Sequence, residues 1–498
     1  MAIFTSSGFS GRGLFLGDKL MTLVMKFGGS SVGSSAAMRE TASLIIDTRQ
    51  TWGPVVVVAS GMGSSPVKVT DLLLNGAQAA LAGDQVAYQV LAQEMGRVHD
   101  EAIDGLLEPD DEREAVRAEI KTFIDHYIAL CDAVRVLGEL TPRALDAVSG
   151  MGEQMSVRIL AAYLRQLGHP AQAVDATELI TTDSQFQSAN PLVAETQVRT
   201  QARLLPLIEE GVTPIVTGFI GATADGVTTT LGRGGSDFSA SIIGQALNAD
   251  EVWIWTDVDG VMTADPRIVP GARSIPMLTY REVSELAYFG ARVLHPKTMR
   301  PCIESGIPLR VKNTFNPDHA GTVIVANGQA HNGGIKAVTA ITGLNLITVE
   351  GTGMVGVPGI AARTFGAVAD TEVSVLLISQ ASSEQSICFA VPEGSAALVL
   401  EGLQAEFETE LARRDIDSIW GMREVSIVTV VGAGMRGTPG ISGRLFSALG
   451  DCSVNIIAIA QGSSECSISI VIEDAETAGA VAQIHRLIGQ GAPSPKQV

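Results

Sequence analysis

Residues 22–49, TLVMKFGGSSVGSSAAMRETASLIIDTR, decide the fold class. Thr22–Phe27 is a strand-length apolar run, Gly28–Ser35 is a Gly/Ser loop, and the stretch from about Ala36 to Arg49 has helical apolar spacing. A strand that passes through a glycine turn into a helix opens a βαβ unit. The pattern recurs downstream. Val55–Ser60 reads as a buried strand with Gly61–Ser65 as its loop, and residues from about Thr70 to Leu137 read as long amphipathic helices. Helix 153–167, strand 171–175, helix 195–210 and strand 213–217 follow, then a hairpin-like stretch at 218–230. A Gly-rich loop (Leu231–Ser236), a helix (237–247) and a strand (251–256) complete the series. Strands alternating with helices imply an α/β sheet covered on both faces. Asn316–Gly334 has little periodicity and reads as a boundary.

Beyond it the chain repeats itself. TVEGTGMVGVPGIAARTFGAVADTEVSVLLISQASSEQSICFAV (348–391) aligns without gaps to TVVGAGMRGTPGISGRLFSALGDCSVNIIAIAQGSSECSISIVI (429–472). Each copy reads strand, Gly/Pro loop, helix, strand, turn, strand, followed by a further helix, a βαββαβ-type unit present twice. Gly351-x-Gly353-x-x-Gly356 and Gly432-x-Gly434-x-x-Gly437 resemble dinucleotide fingerprints. A dinucleotide site wants an acidic residue at the end of the next strand, where Gln380 and Gln461 stand instead, so the glycines are read as shaping a loop before a short helix.

Composition sets limits on function. The 498 residues suggest about three domains. With 46% hydrophobic residues, 18% charged and a mean hydropathy of +0.26, the chain is neither disordered nor fibrous. No apolar run approaches the roughly 18 residues that span a bilayer. A net charge of −20 argues against a general nucleic-acid binder, though a few converging cations would still serve one phosphorylated small molecule. The 53 glycines point to tight turns and to loops where backbone approaches a ligand. Five cysteines without a CxxC pattern fit a reduced, cytoplasmic protein with no structural zinc. Residues 1–21 lack a continuous apolar core and read as a disordered leader rather than a signal peptide.

Four constellations could carry chemistry. Lys26-Phe-Gly28-Gly29-Ser30-Ser-Val lies at a strand end and opens into a helix; it is either a phosphate cradle with a mobile cation or a tight turn with a snorkelling lysine. In Leu231-Gly-Arg233-Gly-Gly-Ser236-Asp237, Arg233 can pair bidentately with a carboxylate, and Asp237 is either a helix cap or a catalytic group. Trp255-Thr256-Asp257-Val-Asp-Gly-Val-Met262-Thr-Ala-Asp-Pro-Arg267 follows a buried strand, at the strand end where open α/β sheets bind ligands, or is simply a loop of Asx turns. Ser149-Gly-Met-Gly-Glu153 offers a carboxylate in a helix's first turn, where it would also complement the helix dipole. His295-Pro296 has no ligand spacing and reads as structural.

Together, KFGGSSV (26–32), SGMGEQMS (149–156), LGRGGSD (231–237), WTDVDGVMTADPR (255–267) and SELAYFGARVLHPKT (284–298) resemble the aspartate kinases of the amino-acid kinase family in order and spacing. The duplicated tail resembles their tandem ACT regulatory domains. The resemblance implies a carbamate-kinase-like αβα sandwich over 22–325, followed by two ferredoxin-like βαββαβ ACT domains over 338–415 and 416–490. It implies phosphoryl transfer from ATP, with Mg2+, to the β-carboxylate of L-aspartate. That carboxylate is already ionised at pH 7, so positioning and charge neutralisation are what the protein must supply. Lys26 with Gly28, Gly29 and Ser30 would hold the phosphates, Arg233 the substrate α-carboxylate and Glu153 its ammonium. Asp237 would orient Lys26 or the magnesium shell. Ser60, Thr70 and Ser236 match substrate-side positions, and Thr256, Asp257, Met262, Arg267 and Arg292 match nucleotide contacts.

Three departures stand out: the family often has tyrosine at Met262 and lysine at Arg292, and the segment between Ser60 and Thr70 is long. SQASSEQS (379–386) and AQGSSECS (460–467) are closer to threonine-sensitive than to lysine-sensitive kinases, which marks Gln380, Ser382, Gln461 and Ser463 as effector contacts. The implied partners are aspartate, ATP and an amino-acid effector, in a homodimer or homotetramer built through ACT domains. No nucleic acid or membrane is involved. The chain ends without a dehydrogenase segment, which points to a monofunctional kinase. The competing readings are a sister kinase acting on glutamate or acetylglutamate, and a catalytically silent amino-acid sensor.

Overall fold

A computed structural model describes residues 21–64, 67–291, 294–326, 334–380, 385–435, 438–462 and 466–489. The proposed leader, Arg292, Ser382 and Ser463 lie outside them. The chain forms two units. One comprises residues up to Val261, Pro276–Tyr280 and Leu294–Ala326; the other comprises Met262–Ile275, Arg281–Val293 and the chain from Asn327.

The first unit is built on a sheet whose order, by strand, is Met277–Thr279, Thr322–Val325, Leu309–Asn313, Glu251–Thr256, Leu23–Phe27, Val55–Ala59, Thr213–Thr217 and Ala171–Val174. All neighbours are parallel except Leu309–Asn313 with Thr322–Val325. The central strands are buried on both faces, as the run VVVVA at 55–59 requires: all five residues are buried. Helices Ser35–Trp52 and Met151–Gln166 pack as one layer, and Val193–Glu209 and Gly235–Leu247 as another, giving the αβα sandwich. Chain order reverses at Leu23–Phe27, with Val55–Ala59 on one side and the much later Glu251–Thr256 on the other. Such a switch point opens a crevice at the carboxyl ends of the strands.

The stretch from Thr70 to Leu137 resolves into Val69–Leu81, Gln85–Leu106 and Asp111–Leu137. Asp84 and Asp110 break it by accepting the N–H of Ala87 and Arg113 (both 2.9 Å). Such caps contribute about 1 kcal/mol each. The hairpin is present as antiparallel Ile220–Thr223 and Thr228–Thr230. His295 is structural: it caps helix Pro296–Ser305, its Nδ1 accepting the Lys297 N–H at 3.2 Å.

In the second unit both repeats share one six-stranded sheet, ordered Leu377–Gln380, Ser386–Pro392, Ala337–Glu350, Ser418–Val431, Ser467–Glu473, Ala458–Ala460. The linear division into 338–415 and 416–490 does not describe this sheet. Ala337–Glu350 and Ser418–Val431 are each 14 residues long and pair along their length, with a register shift between Ile341 and Leu344. Beyond the shift, 344–350 is the first strand of copy one and 418–422 its last. On the other side, 425–431 is the first strand of copy two, and 337–341, which precedes copy one in the chain, is its last. Copy one is thus threaded through copy two. Leu344 pairs with Val425, its own equivalent in the repeat, which marks the pseudo-twofold axis. The Gly351 and Gly432 loops lead into the short helices Ile360–Asp370 and Ile441–Asp451, the loop-shaping role expected of their glycines.

Candidate active site

The crevice of the first unit holds a cavity of about 850 Å3. Nine of the residues singled out from sequence line it: Lys26, Gly29, Ser30, Ser60, Thr70, Glu153, Arg233, Ser236 and Asp237. They arrive on separate elements. Lys26 is the penultimate residue of its strand, and the following loop is tied down by the Ser31–Thr314 hydroxyl contact (2.8 Å) and by Thr41 donating to the Ser31 carbonyl (2.7 Å). Gly29 is close-packed: a Cβ there would meet the Gly61 carbonyl oxygen at 3.2 Å. Helix Gly235–Leu247 starts from Gly234 in the left-handed conformation, so Asp237 is no cap but sits in the first turn.

Lys26 Nζ lies 2.6 Å from Asp237 Oδ1, with both side chains mostly buried. Asp237 Oδ1 has no aligned hydrogen-bond donor, so the contact is chiefly coulombic. Glu153 is buried in the first turn of Met151–Gln166. Burial pushes its carboxyl up to about 7, against the opposing pull of the Gly61 and Glu153 backbone N–H groups and of Lys26. Its Oε2 is buried and has no well-aligned hydrogen-bond donor among the described residues. Arg233 is exposed and makes no ion pair among the described residues. The cavity therefore offers a fixed ion pair, a poised carboxyl and an open guanidinium, which suits a small molecule carrying both charges.

Thr256 ends the strand beside that of Lys26 and Asp257 follows it, with Thr256 Oγ1 3.2 Å from Asp257 Oδ1. Met262 and Arg267 belong to the second unit, where Met262 pairs with Ser274 and Arg267 with Asp265 (2.6 Å). In copy one of the repeat, Gln380 lines a pocket of about 280 Å3 with the Met354–Ala361 loop. Gln461 is exposed.

Cavity residues that sequence reading missed include Lys68, Asp146, Gln187, Phe219 and Thr230. Lys68 had a signal, the long segment after Ser60; the others had none. Among the described residues no three His, Cys, Asp or Glu side chains gather into a metal cage. Magnesium carried by a nucleotide takes one or two carboxylates and completes its shell with water and phosphates, and Asp237 lines the cavity as such a carboxylate.

A model of the amino acid kinase family matches residues 21–313, and an ACT domain model matches 347–407 and 428–487. The bifunctional aspartokinase/homoserine dehydrogenase 1 of Zea mays is 38% identical over 93% of this chain. The chain spans about half the length of that protein. Aspartokinase 1 of Arabidopsis thaliana is 35% identical over 94% of this chain and 80% of its own length. E. coli aspartokinase III superposes with TM-scores of 0.76 in its complex with lysine and aspartate and 0.74 with aspartate and ADP. Both structures are 28% identical and cover 94% of this chain and 99% of theirs. The chain belongs to the amino acid kinase family, among the aspartokinases that carry a tandem ACT region.

Proposed function

We propose that the chain transfers the γ-phosphoryl of ATP to the β-carboxylate of L-aspartate, giving ADP and 4-phospho-L-aspartate, the entry step to lysine, threonine and methionine synthesis. The observation that carries this reading is one cavity holding the Lys26–Asp237 ion pair, Glu153 and Arg233. Arg233 receives the α-carboxylate and Glu153, once ionised, the ammonium, which selects an amino acid over a plain dicarboxylate. No general base is needed, because the nucleophile is already an anion. Lys26 neutralises charge on the transferred phosphoryl, held in place by Asp237, while Gly29 and Ser30 offer backbone N–H groups to the phosphates. Gly28, expected from sequence to join them, instead donates its N–H to the Trp255 carbonyl (3.4 Å) and shapes the turn. Magnesium bound with the nucleotide would supply further charge neutralisation, with Asp237 the carboxylate available to its shell. Thr256, Asp257, Met262, Arg267 and Arg292 complete the proposed nucleotide contacts, and Ser60, Thr70 and Ser236 those to aspartate.

The pocket at Gln380 is the effector site in this reading, with threonine favoured over lysine on the likeness of SQASSEQS and AQGSSECS to threonine-sensitive kinases; among the described residues its lining carries no acidic side chain. Ser382, Gln461 and Ser463 are assigned with it. The ACT sheet is assigned the subunit contact of a homodimer or homotetramer. Five unpaired cysteines accord with a cytoplasmic location.

Trapping the acyl phosphate with hydroxylamine tests the assignment. Aspartyl hydroxamate should form from aspartate and ATP and fall when threonine is added. Its absence, or a stronger signal with glutamate, overturns the substrate assignment; inhibition by lysine alone overturns the effector.

A further inference from the structure

One wall of the cavity is a loop held in a conformation that its own sequence disfavours. Asp183 closes the loop by accepting the N–H of Gln185 (3.2 Å) and of Asn190 (3.0 Å) and the side-chain amide of Asn190 (2.9 Å). Within it Gln187 has φ 69°, in the left-handed region that glycine enters freely and L side chains rarely do. Asp146, buried on helix Pro142–Ser149, holds it there: its two oxygens lie 3.0 and 2.9 Å from the Gln187 N–H they accept. The same carboxylate accepts the N–H (2.9 Å) and hydroxyl (2.8 Å) of Thr230. Thr230 leads directly into Leu231-Gly232-Arg233, and a Cβ on Gly232 would meet the Gln187 carbonyl oxygen at 3.0 Å. One buried carboxylate therefore clamps the Gln187 loop against the Arg233 loop. The Gln187 side chain is exposed, lines the cavity and makes no hydrogen bond among the described residues.

A glycine would meet every backbone demand at this position without strain, so the role of the glutamine lies in its side chain. We propose that Gln187 is a specificity-determining residue of the amino-acid site, its carboxamide contacting the acceptor substrate beside Arg233, and that Asp146 is the positioning residue that sets both. A carboxamide both donates and accepts, so it can serve a bound carboxylate or ammonium, where Arg233 can only donate. The inference rests on the reading of this cavity as the aspartate site.

The decisive variant is Gln187→Gly, which keeps the backbone conformation and relieves its strain. Its melting temperature should equal or exceed that of the wild type. Its KM for aspartate should rise about tenfold, the loss of one charge-assisted hydrogen bond, with KM for ATP unchanged. Gln187→Asn, which tolerates the left-handed region but carries a shorter amide, should fall between. Asp146→Asn should raise KM for aspartate and also lower the melting temperature. An unchanged aspartate KM in a well-folded Gln187→Gly overturns the proposal while leaving the kinase assignment standing. A wild type that makes no aspartyl hydroxamate overturns both.

Discussion

The cavity of the first unit and the Gln380 pocket of the second use the same backbone device with different charge. Each opens at a glycine-shaped turn that starts a helix: Gly234 before Gly235–Leu247, and Gly359 (φ 97°) before Ile360–Asp370. The larger space is lined by Lys26, Lys68 and Arg233 against Asp146, Glu153 and Asp237. The smaller is lined by Met354, Gly356, Val357, Pro358, Gly359, Ile360, Ala361, Gln380 and Ile387, with no ionisable group among them. Glycine turns at helix starts make a concavity with N–H groups facing in, and that alone distinguishes neither site. The side-chain charges decide whether a transferred phosphoryl is stabilised or a small zwitterion merely held.

The comparison breaks most severely at Lys26. Lys26→Ala is expected to lower kcat roughly 100- to 1,000-fold, the scale for removing a group aimed at developing charge, with the circular dichroism spectrum unchanged. Turnover within a few-fold of wild type would leave the charged cavity functionally no different from the neutral one.

Glu153 is next, and its effect depends on pH. Burial holds this carboxyl at about 7, so in the role proposed for it the aspartate ammonium would meet a neutral group below that pH. In the wild type kcat/KM for aspartate should fall as pH drops below about 7. Glu153→Gln should be roughly 10- to 100-fold worse and flat across that range. The stability effect has the opposite sense. A carboxyl whose folded value lies above its ordinary 4.5 stabilises the fold fully below that value and loses this stabilisation as pH rises through about 7. Denaturant titrations at pH 5 and pH 8 should show this slope in the wild type and not in Glu153→Gln.

Why some of this was legible from sequence and some was not follows from how each part is encoded. Local devices carry their own signal: VVVVA, entered from Gly53-Pro54 and left at Ser60, is a strand-length apolar run too short for a helix, and Lys26, Glu153 and Arg233 each stand within two residues of a glycine at a strand or helix end. Asp146, Gln187 and Thr230 meet from three segments, and nothing in ALDAVSG or DSQFQSAN says that one carboxylate serves the other two. The threading of residues 337–341 into copy two was hidden for a related reason. The repeat alignment is strong over the loop and helix but fades before 348, so the last strand of copy two has no recognisable sequence. Met262 and Arg267 belong to a motif contiguous in sequence that the fold divides between two units.

A finer comparison lies within the ACT pair. In copy one the N–H of Thr352 is accepted by Asp417 at 2.9 Å. In copy two the equivalent donor is Ala433, and the position equivalent to Asp417 holds Lys336, which cannot accept. Glu282, fully buried, fills the role: it accepts from Ala433 and pairs with Lys336 Nζ at 3.0 Å. Glu282→Ala should cost about 3 kcal/mol, because it removes the buried carboxylate that pairs with Lys336 and uncaps the loop. Glu282→Ala with Lys336→Asp rebuilds the arrangement of copy one and should recover most of that loss. Equal melting temperatures for the single and double variants would show that the two loops are not equivalent.

The smallest effect separates the two glutamines. Gln380 lines a pocket of about 280 Å3, and Gln461 stands at the equivalent place in copy two, where the Ala433 loop is capped by Glu282 from another segment. Gln380→Ala removes one neutral polar contact, so the threonine concentration for half inhibition should rise about three- to tenfold with uninhibited kcat unchanged. Gln461→Ala should move it less. The ranking matters more than the magnitude. A larger effect from Gln461 would place the effector in the copy whose loop is already anchored by Glu282, and the neutral pocket would then be a by-product of the repeat rather than the counterpart of the catalytic cavity.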